Sequence, residues 1–85
     1  MIERRIGERI EDIRKIHVIS EGTVIEVVLL DRSTTGARFI SPFVSMAPGH
    51  LLQLCIPSTN GRMVEGKVVR QEVSEAGYRI AVMSL

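Results

Sequence analysis

Residues 23–40 read TVIEVVLLDRSTTGARFI, and this stretch decides the fold. The run VIEVVLL is β-branched and apolar enough to be covered on both faces near its end, as in a well-buried strand. DRSTTG at 31–36 interrupts it with turn-forming residues, and ARFI at 37–40 resumes as a short strand. Two strands with so short a connection pair antiparallel, because a parallel return needs a long crossover.

The same punctuation extends both ways. Upstream, 15–20 reads as a short strand ended by Glu21 and Gly22. Downstream, SPFVSMAPG at 41–49 is a loop carrying Pro and Gly, and a strand over 51–56 is closed by PSTNG, where Asn60-Gly61 signals a tight turn. Over 63–73, Val64, Gly66 and Val68 share one face, with Glu65 and Lys67 on the other. After a turn at 74–77, Tyr78, Ile80 and Val82 alternate with Arg79, Ala81 and Met83. Six short strands with no crossover helix predict an all-β fold, a small six-stranded antiparallel β-barrel, since closure removes exposed edges.

Composition narrows the class. The chain has 85 residues, 45% of them hydrophobic, with a net charge of +1, which suits one domain over 1–85 and not a disordered chain. Near-neutrality argues against a protein that coats duplex nucleic acid by charge. No apolar run suggests a membrane span and MIERRIGERIEDIRK has no signal-peptide stretch, so the expected setting is cytoplasmic. The single Cys55 excludes an internal disulfide and reads as packing; with only His17 and His50, no metal site is predicted. Ser33, His50 and Asp31 could be written as a triad, but no nucleophile-elbow sequence supports one, so no catalytic residue is assigned. Met46, Met63 and Met83 read as core or loop fillers.

The N-terminal stretch behaves differently. Ile2, Ile6, Ile10 and Ile13 recur at helical spacing, which predicts a short amphipathic helix weakened by Gly7. The chain thus divides into a segment over 1–14 and a barrel over 15–85. Arg5 and Arg9, four apart on such a helix, could grip one anionic ligand together, and guanidinium groups both clamp phosphate and stack on flat rings. The alternative is a solvated face paired with Glu8, Asp12, Glu3 or Glu11. In DRSTTG, Asp31 and Ser33 offer short hydrogen bonds, and Gly36 offers positive φ or close backbone approach. A carboxylate suits the donor edge of guanine; the alternative is a turn bonded to itself. Arg38 and Arg70 read as solvent-facing members of alternating strands, or as a widening of a ligand site.

Together these motifs resemble the PilZ domain family. An RxxxR (Arg5 to Arg9), then about twenty residues of strand, then DxSxxG (Asp31, Ser33, Gly36) occur in the family's order. The resemblance spans ERRIGER at 3–9, LLDRSTTGARF at 29–39, VEGKVVR at 64–70 and GYRIAVMSL at 77–85. It implies a six-stranded barrel that binds cyclic di-GMP, a bacterial second messenger, and relays its level to a protein effector. It further implies Arg5 and Arg9 on phosphate and guanine, Asp31 and Ser33 on a guanine edge, and Gly36 shaping the turn. Arg4, directly before RxxxR, goes in the family with an intercalated ligand dimer. Two features depart from the pattern: IEDIRKI continues with helical spacing where the family often turns extended, and the C-terminal helix of many members has no counterpart up to Leu85. Rival readings are a PilZ-like adaptor that binds proteins without nucleotide, and a barrel for single-stranded nucleic acid, which Phe39, Phe43 and Tyr78 serve poorly as stacking platforms. A monomer or weak homodimer is expected.

Overall fold

The computed structural model describes residues 10–56 and 63–85. Six strands follow one another: β1 (Ile10–Ser20), β2 (Thr23–Arg32), β3 (Gly36–Ser41), β4 (Leu51–Cys55), β5 (Met63–Ser74) and β6 (Gly77–Ser84). They close into an antiparallel barrel in the order β1-β2-β3-β6-β5-β4. The seam is short: only His17, Val18 and Ile19 of β1 pair with β4, against Cys55, Leu54 and Gln53. Among the described residues no helix is long and apolar enough to cross a membrane.

Period-two alternation fills the interior with aliphatic side chains around one aromatic. Val27 and Leu29 of β2, Phe39 of β3, and Ile80 of β6 are fully enclosed, and Ile16, Val18, Leu54 and Val68 belong to the same cluster. Closing the sheet makes these inward residues meet across the barrel axis, which is why so few aromatics suffice. One end is plugged by the 42–50 loop. Met46 is buried there, with its backbone N–H donating to Gln71 Oε1, and His50 Nε2 lies 2.6 Å from Ser20 Oγ. Met63 and Met83 are instead half exposed on the outer surface.

The predicted helix does not extend into residues 10–14. These belong to β1, with Ile10 opposite Arg32 and Glu11 opposite Asp31. The rest of that expected helix, residues 1–9 with Arg4, Arg5 and Arg9, lies outside the described residues. The barrel therefore begins at Ile10, five residues earlier than the sequence suggested. Isoleucines at 10 and 13 fit a helix, yet Ile13 stands exposed on β1, whose pairing with β2 shifts between Glu11 and Arg14.

Candidate functional site: the outer face at the β2–β3 turn

Asp31 would face the barrel interior if β2 kept its alternation from Val27 and Leu29. It does not, because β2 carries an irregularity against β3: Leu29 opposes Phe39, yet Asp31 opposes Arg38, leaving Leu30 as the extra residue. Arg38 lies between buried Ala37 and Phe39, hence on the outer face. The bulge thus resets the phase and turns an aspartate that would have been buried in an apolar core onto the outer surface.

Arg38 holds that carboxylate from two sides. Its Nη2 donates to Oδ2 at 2.6 Å, and its Nε reaches Oδ2 at 3.0 Å and Oδ1 at 3.2 Å. The Asp31 carboxylate pushes the Arg38 guanidinium still higher than its ordinary value, chiefly through this hydrogen bond. Charge-assisted contacts of this kind fix the plane of the carboxylate as well as its charge. Sequence reasoning did not foresee the pair. The two residues are seven apart around a turn, and their registration depends on the Leu30 bulge, which alternation alone does not reveal.

The turn itself is narrower than DRSTTG suggested, since Asp31 and Arg32 end β2 and Gly36 opens β3. Ser33 N–H donates to the Gly36 carbonyl at 2.8 Å, and Thr35 N–H donates to Ser33 Oγ at 3.2 Å. The Ser33 hydroxyl is therefore engaged within its own turn. Gly36 is not among the glycines with positive φ. A Cβ there would lie 2.3 Å from the Val82 carbonyl oxygen, so glycine is required for close approach of β3 to β6.

On the inner side of the turn the barrel end is roofed by ions. Asp12 accepts from Arg32 Nε at 2.8 Å and from Arg14 Nη2 at 2.9 Å. The Arg32 hydrogen bond, with Arg14 assisting, holds the Asp12 carboxyl below its ordinary value despite partial burial. Beside them a cavity of about 480 Å³ is lined by Ala37, Leu54, Ile56, Val64 and Val82, with Arg32, Ser33 and Thr34 among its polar lining. Among the described residues no group of three or more His, Cys, Asp or Glu is placed to hold a metal. His50 lies at the opposite end of the barrel, bonded to Ser20 and far from Ser33 in the strand order.

Ile10 opposes Arg32, within the DxSxxG motif.

A closed six-stranded antiparallel barrel, with an outward aspartate at the β2–β3 turn and an arginine-bearing segment leading into β1, defines a small class of ligand-binding barrels. The chain belongs to the PilZ domain family, whose profile matches residues 3–84. That family is one of binding domains, known as receptors for cyclic di-GMP. Compared with curated proteins, the chain finds no match.

Proposed function

We propose that the protein binds cyclic di-GMP and relays its concentration to a protein effector in the bacterial cytoplasm, without catalysing a reaction. The observations that carry this reading are the match of residues 3–84 to the PilZ family and the outward Asp31 at the β2–β3 turn. Arg5 and Arg9 contact phosphate and stack on guanine, while Asp31 and Ser33 address the edge of the other guanine. Gly36 keeps the turn tight against β6. Arg4 extends the grip to a second, intercalated ligand. Each charge-assisted bond contributes on the order of 1.5–3 kcal/mol, so a few of them reach micromolar affinity, about −8 kcal/mol. Ordering arginine side chains around the ligand changes the surface a partner meets, which is a physical route to signalling.

Isothermal titration calorimetry with cyclic di-GMP, using GTP and cyclic AMP as controls, tests the reading. Saturable binding near two ligands per chain is expected, falling toward one when Arg4 is made apolar. Arg5→Ala, Arg9→Ala and Asp31→Ala should each weaken binding by about tenfold or more, the loss of one strong charged contact. No heat at high micromolar ligand would return the protein to the adaptor reading.

A further inference from the structure

Residues 10–16 read IEDIRKI, an order that is self-complementary in charge about Ile13: Ile, two acids, Ile, two bases, Ile. In the barrel this stretch is the first part of β1, and β2 runs along one side of it from Ile10 to Ile16. On the other side β4 meets β1 only at His17, Val18 and Ile19. Among the described residues, then, no strand pairs with 10–16 on the edge away from β2. Such an edge presents a row of backbone N–H and C=O groups that a further strand can complete.

Exposure alternates along this edge. Glu11, Ile13 and Lys15 are exposed, while Asp12 and Arg14 are partly buried, and the pattern crosses the shift in β1–β2 pairing unbroken. Asp12 and Arg14 already pair with each other, and Asp12 with Arg32. Glu11 and Lys15 belong to no ion pair among the described residues. Let a second β1 lie antiparallel along the edge, with Ile13 opposite Ile13. Glu11 then meets Lys15 of the second copy and Asp12 meets its Arg14, and the reverse pairs follow by symmetry. Directly opposite side chains have Cβ atoms roughly 4.5–5.5 Å apart, where opposite charges attract and like charges repel. Centring the pair on Asp12 or on Arg14 instead sets like charges face to face, so the charge order specifies the register as well as the partner.

We propose that the 10–16 edge of β1 is a homodimer surface, on which a second copy of the chain lays its own 10–16 about a two-fold axis at Ile13. The interface is isologous, the form that closed dimers take. The inward core residues of β1, Ile16 and Val18, lie to one side of Ile13. Antiparallel pairing therefore throws the two barrels toward opposite ends of the joined strands and does not stack them on each other. Seven residues of edge bury far less than the about 1,200–2,000 Å² of a standard stable interface. The dimer is accordingly weak and exchanging, and its exposed Glu11–Lys15 pairs make it sensitive to salt. It does not depend on the nucleotide reading.

The test is sedimentation velocity on the nucleotide-free chain over a concentration series. Wild type should shift from monomer toward dimer as concentration rises, and back as salt is added. Lys15→Glu sets a carboxylate against Glu11 and should abolish the shift, as should Glu11→Lys. Combining the two restores opposite charges and should recover it, which separates pairing from damage to the fold. Ile13→Lys sets two cations face to face at the axis, and Ile13→Glu two carboxylates. Each of these alone should stay monomeric, whereas an equimolar mixture of the two should form the mixed dimer. Thermal unfolding of every variant should stay close to wild type, because Glu11, Ile13 and Lys15 are exposed. A wild type that stays monomeric up to millimolar concentration overturns the proposal, and the charges then serve to keep the edge from pairing. A dimer that survives both Lys15→Glu and Ile13→Lys uses another surface and overturns it equally.

Discussion

Gly36 shows how one residue serves the site by what it lacks. Its backbone is not in the left-handed region, so the requirement is not conformational freedom. The requirement is space, since the Val82 carbonyl occupies the position a Cβ would take. Gly36→Ala should therefore push β3 from β6 and lower stability by about 1–3 kcal/mol, as other forced insertions into packed space do. Chemical denaturation measures this, and a variant as stable as wild type would contradict the close approach. Ligand affinity should fall as well, since Ser33 is bonded to the Gly36 carbonyl and Arg38 stands two residues beyond. The residue-scale chemistry of this motif was legible in the sequence as residue types. The partner of its aspartate was not, because Arg38 reads in one dimension as an ordinary solvent-facing strand residue.

At the scale of elements, β1 and β2 show why the first strand was misread. The phase of β1 that faces inward at Ile16, Val18 and Ser20 continues back to Arg14 and Asp12. Two charges at core-phase positions disguise a strand, and isoleucines at helical spacing supply a rival pattern. The strand is tolerable only because Arg32 arrives from β2 to complete an Arg–Asp–Arg cluster. That cluster makes stability depend on pH in a defined direction. Asp12 has its folded-state value held below the ordinary carboxylate value of 3.8, first by Arg32 and then by Arg14. Its contribution is present above 3.8 and is lost as pH falls through the lower folded value. Asp12→Asn should accordingly be less stable than wild type at neutral pH, with the gap closing as pH falls below that ordinary value. Denaturation midpoints measured across the acid range check this; a constant gap would remove Asp12 from the account.

For the whole molecule, a barrel closed by a three-residue seam is modest in stability, and a ligand bridging the N-terminal segment, β2 and β3 should reinforce it. Binding to the folded state alone stabilises by about 2.7 kcal/mol at a hundredfold excess over Kd. In a domain of this size, each kcal/mol moves Tm by about 4–8 °C. Cyclic di-GMP should therefore raise Tm by roughly ten degrees or more under those conditions, and GTP should not. Differential scanning calorimetry with both nucleotides provides the check.

Strand count, most strand positions and the residue types of both motifs are legible in the sequence, because alternation and turn chemistry are local properties. The face that the second motif occupies was decided instead by pairing between strands. One extra residue at Leu30 turns Asp31 from core to surface, another at Val69 sets Arg70 beside Ala81, and the β1–β2 pairing sets Ile10 opposite Arg32. A single inserted residue reverses the facing of everything after it in a strand of period two, and its place is fixed by neighbouring strands that are distant in sequence.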